Sequence, residues 1–153
     1  MRTLNYKHLM FLTIFLLLLF PAFGQTSADI ENLLAERAIS FEQAAWFILA
    51  SALNEVPDSS QAAFALAVER GWIPAKAESG NPITFNGLSL LLMKAFEING
   101  GMMYRFTENK RYAYRELRSR EYITGRAYSG ITVSGEQFLQ ILGNIMSDRG
   151  GEL

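Results

Sequence analysis

Between residues 104 and 128 the chain gathers most of its polar recognition chemistry. Seven cations, Arg105, Lys110, Arg111, Arg115, Arg118, Arg120 and Arg126, face three acids, Glu108, Glu116 and Glu121, a local formal charge of 7 − 3 = +4. Tyr104, Tyr112, Tyr114, Tyr122 and Tyr128 lie in the same stretch. Guanidinium forks suit carboxylates and phosphates, and tyrosine rings stack on sugar faces or cap apolar pockets. An anionic glycan, a lipid headgroup or an acidic protein could use such a surface, with Arg105, Arg111, Arg115, Arg118, Tyr104 and Tyr128 as its contact residues. The plainer alternative is a solvated helix face. Arg111, Arg115 and Arg118 share a face at i+4 and i+3 spacing, with Tyr114 and Leu117 turned inward, and charge runs favour that reading.

Catalytic chemistry has few residues to work with. The chain has no cysteine, and its single histidine is His8. Beyond residue 24, Cys–His and Ser–His–Asp nucleophile systems and zinc sites built on His or Cys are therefore excluded. Paired carboxylates of the glycosidase kind remain, with Glu42, Glu55, Asp58 and Glu78 as candidates. No motif forces a raised pKa on any of them, and Glu42 suits a helix's first turn for stability alone. Lys76 and Ser79 share a loop without a Ser-x-x-Lys motif. No phosphate-binding loop, dinucleotide fingerprint or Ca²⁺ loop occurs. The expectation is a protein that is not an enzyme and takes no cofactor or metal.

The first 24 residues read as a secretory signal peptide. Arg2, Lys7 and His8 precede an apolar run from Leu9 to Phe20, and Ala22-Phe23-Gly24 supplies small residues at the −3 and −1 positions of a cleavage site. The run is short for a membrane span, which needs about 20 apolar residues. An uncleaved anchor is the alternative, and the missing cysteine excludes a lipoprotein. Removing Arg2 and Lys7 from the 14 cations leaves 12 against 15 acids, a formal charge of −3. That balance and export both argue against nucleic acid. Membrane contact is expected only through the leader, and the location is exported, periplasmic or envelope-associated.

What must position the basic-aromatic surface is a set of helices. "AISFEQAAWFILASA" (38–52), "PITFNGLSLLLMKAF" (82–96) and "GITVSGEQFLQILGN" (130–144) share a pattern when aligned on Ile39-Ser40, Ile83-Thr84 and Ile131-Thr132. Apolar positions follow at matched offsets, including Trp46, Leu90 and Phe138, and the spacings are 44 and 48 residues. A recurrence of that length marks an internal repeat. Ser40, Thr84 and Thr132 are good N-caps, and Gln43 completes a capping box with Ser40. The pattern predicts long helices near 41–54, 85–98 and 133–147, the second stopped by Asn99-Gly100-Gly101. Shorter helices precede them at 27–39, 59–73 and 111–123, the last two related by a shift of 50. Trp46 and Trp72 read as core, and Met102-Met103 as a gap-filling turn. The expected fold is all-α, one domain over 25–153, with units near 27–54, 57–99 and 104–148 around a pseudo-threefold axis.

Gly71-Trp72-Ile73 followed by Pro82-Ile83-Thr84, and Tyr122-Ile123 followed by Gly130-Ile131-Thr132, resemble the S-layer homology family. Its motif is a short helix ending near Gly-aromatic-Ile, then a Gly/Pro loop, then Ile-Thr-Arg-Ala-Glu opening a longer helix. The resemblance covers nearly all of the chain after the leader and implies a trefoil-like unit of three motifs. It also implies that an Arg after Ile-Thr contacts anionic wall polysaccharide, but this chain has Phe41, Phe85 and Val133 there. A helix N-terminus can still attract an anion through its free N–H groups, without the bidentate donor. The expectation is a non-catalytic envelope module that contacts another envelope protein, with a cell-wall glycan as the alternative partner and a small carboxylate hydrolase as the remote third.

Overall fold

The computed structural model describes residues 27–53 and 56–150. The expected leader and Glu55 lie outside the described residues. Those described form seven helices and no strand: α1 (Ser27–Ala35), α2 (Phe41–Leu53), α3 (Ser60–Glu69), α4 (Phe85–Ala95), α5 (Met102–Thr107), α6 (Lys110–Ser119) and α7 (Gly135–Gly150). The fold is all-α. By contact density the chain divides after Ile30, and the body from Glu31 onward carries the end of α1 and all of α2 to α7.

Three segments that open the long helices meet at the centre of that body. The Ile39 N–H donates to the Val133 carbonyl at 2.9 Å, the Ile83 N–H to Ile39 at 2.9 Å, and the Val133 N–H to Ile83 at 3.1 Å. Each residue donates once and accepts once, so the ring is closed. All three are 0% exposed. Water cannot reach these groups, and a buried peptide group left unpaired costs about 1–3 kcal/mol, so the ring leaves little freedom in how the segments join.

The helices then start from fixed points. The first N–H groups of an α-helix have no partner inside it. In α2 the Phe41 N–H donates to Asn81 and the Glu42 N–H to Ser79. The Gln43 N–H donates to the Ser40 hydroxyl, and the Gln43 side chain accepts from the Ser40 N–H. In α4 the Phe85 and Asn86 N–H groups go to Ile131 and Ser129, and the Gly87 N–H to the Thr84 hydroxyl. In α7 the Gly135 N–H goes to Glu36 and the Gln137 N–H to the Ser134 hydroxyl. Each long helix is therefore capped partly by a loop or helix end remote in sequence. The leading N–H groups of α2 and α4 are consumed in this way, so they are not free to hold an anion.

This geometry corrects the register of the third unit. Val133, not Ile131, joins the ring, and Ser134, not Thr132, caps α7 through a box with Gln137. Ile131 is half exposed and Thr132 exposed. Ile131-Thr132 matches the same two-residue pattern two positions early, which is why it misleads. With Val133 opposite Ile83, a shift of 50 relates the long-helix starts as it relates the caps Ser59 and Asn109. The residue at the first helical position becomes Gly135 rather than Val133. The partner of Trp46 and Leu90 likewise becomes Gln140, and Phe138 instead matches Ala44 and Leu88, all three buried in the core. Trp46 and Leu90 are half-buried and pack against that core.

Helix ends depart from expectation in the same local way. The second long helix stops at Ala95, with Glu97 in the left-handed region (φ 50°), before Gly100 is reached. Gly71 (φ 69°) and Glu121 (φ 60°) end α3 and α6 alike. The Trp72 N–H returns to Ala67 and the Tyr122 N–H to Leu117, the six-to-one bond of a Schellman turn. Side chains anchor these ends. Lys94 donates to the Gly71 carbonyl, and Asn144 to the Tyr122 carbonyl.

Packing pairs each of the first two long helices with a later short helix. The most extensive contacts join α2 to α3 and α4 to α6, with α2 also meeting α4. A stripe of small residues, Ala63 and Ala67 on α3 and Ala113 on α6, is fully buried. Phe47 meets Phe138 edge-on at 6.2 Å between ring centres, linking α2 to α7.

Gly135 is placed where no side chain fits. A Cβ there would lie 1.6 Å from the Leu33 carbonyl oxygen, whereas one on Gly130 would meet nothing within 4 Å. Gly135→Ala should therefore destabilise the fold by about 2–3 kcal/mol, the range of a forced backbone shift, and Gly130→Ala by less than about 0.5 kcal/mol. Urea denaturation of the two variants checks this. Equal midpoints would show that α1 does not press on the start of α7.

Candidate functional site

The basic-aromatic stretch folds as α5 and α6 joined by Glu108 and Asn109. Residues 102–107 are helical rather than a plain connection because the segment is fastened at both ends. The Gly101 N–H donates to the Glu116 carboxylate at 3.0 Å. At the far end Glu108, in the left-handed region, pairs with Lys94 at 2.9 Å. Arg120 donates to Glu116 and to the Asn99 carbonyl, which fixes the approach to the first fastening. The half-buried Tyr104 ring lies so close over Gly100 that a Cβ there would be 2.4 Å from it. Gly100 is thus needed for that close approach.

The outward face of α5 is apolar. Met102 is 72%, Met103 52% and Phe106 81% exposed. The expected gap-filling role of Met102-Met103 is corrected: both point to solvent from a helix. Phe106 is not among the residues the sequence singles out, although it follows Met102 at i+4 in a segment with no buried helix residue. A groove of about 310 Å³ between α5 and α6 is lined by Met102, Met103, Tyr104, Tyr112 and Arg115. A second, of about 480 Å³, lies between Gly100, Met102, Arg105 and Phe106. Met102 is the ridge between them.

The expected contact residues divide. Arg105 and Arg115 line the grooves, and Arg111 sits one helical turn before Arg115 on the same face of α6. All three are exposed, and none makes a side-chain hydrogen bond or ion pair among the described residues. Arg118 is turned elsewhere: its guanidinium donates to the Ile123 and Gly125 carbonyls, closing the turn after α6. Tyr114 fastens the same loop through the Ala127 carbonyl. Tyr128 is exposed on that loop but lines neither groove. Tyr104 forms part of a groove wall, and its phenol is pushed up by burial and then by the Glu108 carboxylate.

The other candidates are less concentrated. Glu42 and Ser79 meet only through a backbone bond. Asp58 and Glu78 are exposed, and Glu78 accepts from the Asn81 amide in its own loop. Among the described residues no three acidic or metal-ligating side chains cluster, and no helix is long and apolar enough to cross a membrane.

Lys94 fastens the far end of α5 through Glu108. Its ammonium, by hydrogen bond and then by charge, holds the Glu108 carboxyl below its usual range. A lowered carboxylate pKa adds stability above the ordinary pKa and loses it as pH falls through the folded value. Because Glu108 is exposed, the global effect stays below about 1 kcal/mol. Lys94→Met should speed amide exchange over residues 102–108 at neutral pH, with the difference from wild type fading in acid. Unchanged exchange there would mean that α5 stands without the pair. No family model matches the chain, and no curated protein or solved structure is similar to it.

Proposed function

We propose that the chain is an exported, non-catalytic module of the cell envelope, and that the α5–α6 face is its contact surface. One observation carries this reading. Three large apolar side chains are held out to solvent by a polar frame, while three arginines beside them make no side-chain hydrogen bond or ion pair among the described residues. Scattered exposed apolar residues are ordinary, but a contiguous cluster rimmed by polar groups marks an interaction site. Export is carried by the leader's sequence pattern and envelope location by the family resemblance.

The same proposal takes the chain as a divergent S-layer homology unit, three helix–loop–helix repeats about a pseudo-threefold axis. The closed ring at Ile39, Ile83 and Val133, and the repeated caps Ser40, Thr84 and Ser134, support that view. In this chain the three motif-Arg positions are Phe41, Phe85 and Gly135, so recognition has moved from the helix starts to the α5–α6 face. A wall glycan is the second reading. It draws on the free Arg105, Arg111 and Arg115 and on exposed Tyr128.

Fractionation separates the two. Native envelopes treated with a wall-digesting enzyme should keep the protein in the wall-free fraction. Met102→Ser with Phe106→Ser should lower that retention about tenfold, the equivalent of about 1.4 kcal/mol. Retention that ends only when the wall is digested, and that is lost beforehand in Arg111→Gln with Arg115→Gln but not in the apolar pair, would select the glycan.

A further inference from the structure

The sequence places membrane contact in the leader alone; the folded surface offers a second one. We propose that the α5 tip seats on the face of an anionic lipid bilayer, Met102, Met103 and Phe106 entering the interfacial layer while Arg105, Arg111 and Arg115 meet headgroup phosphates. The proposal rests on the α5–α6 face being the contact surface, and it names the partner.

Charge complementarity is the first support. The acids of this face are already engaged, Glu116 with the Gly101 N–H and Arg120, and Glu108 with Lys94. Arg105, Arg111 and Arg115 therefore carry positive charge that nothing on the face neutralises. The stretch 104–128 holds +4 while the residues from 25 onward sum to −3, so the remainder carries −7. A locally basic stretch is drawn toward a negative surface before it touches.

Shape is the second. Phe106 and Met102 protrude, at 81% and 72% exposure. A folded partner would need a pocket cut to receive them, whereas a bilayer interface closes around any apolar protrusion. The guanidiniums do not converge on one point. Arg105 is on α5, and Arg111 and Arg115 lie one turn apart along α6. A row of separate cations fits a field of headgroups better than a single bound anion. Apolar residues beside basic ones on one face are the pattern of a protein that lies on a membrane without crossing it. The polar frame around α5 keeps those residues outward when no membrane is present.

The test is vesicle co-sedimentation of the protein as the cell processes it, its N-terminus read by mass spectrometry so that every variant is compared with the same leader state. The probes are vesicles of phosphatidylcholine alone and of phosphatidylcholine mixed with phosphatidylglycerol. Binding should appear with the mixed vesicles at low salt and weaken as salt rises. Met102→Ser/Phe106→Ser and Arg105→Gln/Arg111→Gln/Arg115→Gln should each weaken it at least about tenfold. Circular dichroism should be unchanged, since all the altered side chains are exposed. Equal binding to neutral vesicles, or variants that bind like wild type, would overturn the proposal. If vesicles fail but both variants still lose the envelope fraction, the face serves a protein, and only the lipid assignment falls. If vesicles fail and the variants keep the envelope fraction, the contact surface itself is elsewhere.

Discussion

A closed ring of three backbone hydrogen bonds sets the terms for the rest of this fold. Ile39, Ile83 and Val133 each spend their N–H and their carbonyl on one another, out of reach of water. The net value of one such bond is only about 1 kcal/mol. Its force lies in the alternative, since breaking any one strands two buried polar groups. The ring therefore acts as a register. Once it closes, Ser40, Thr84 and Ser134 stand at the helix starts, and the loops at 79–81 and 129–131 lie against the first turns of α2 and α4. The apolar stripes of α2, α4 and α7 then have one shared place to go.

The centre and the working face use opposite chemistry. At the centre, apolar side chains crowd and the backbone supplies the polar contacts. On the α5–α6 face, charged side chains do the fastening, through Lys94–Glu108 and the Glu116 bonds to Arg120 and Gly101, and apolar side chains are left outside. Each exposed pair is worth little alone. Several together, with the half-buried Tyr104 packed on the core, hold a six-residue helix none of whose residues is fully buried. A helix that short is marginal without such support, so the frame is what keeps the apolar residues presented.

Much of the scaffold was legible because its signals are local. Ser40 with Gln43 announces a capping box, and the structure closes both of its bonds. Gly71-Trp72-Ile73 matches Glu121-Tyr122-Ile123 down to the left-handed turn and the bond back to Ala67 or Leu117. A local pattern misleads where it has two possible placements. Ile131-Thr132 and Val133-Ser134 both read as apolar then cap, and only the ring, a contact between residues far apart in sequence, chooses the second. The candidate surface was half legible. Arg105, Arg111 and Arg115 were in view, but Arg118 was not separable from them, since its carbonyl partners depend on how the chain turns after α6. Met102, Met103 and Phe106 were hidden because a short apolar run in a polar connection looks like packing until its surroundings are known.

Native-state hydrogen exchange at the amides of Ile39, Ile83 and Val133 tests the ring most directly. If the ring closes the fold, all three should exchange only through global unfolding, with one shared opening free energy equal to that from denaturant melting. Any of the three exchanging through a cheaper local opening would show that its segment joins the others without the bond, and that the register is set elsewhere.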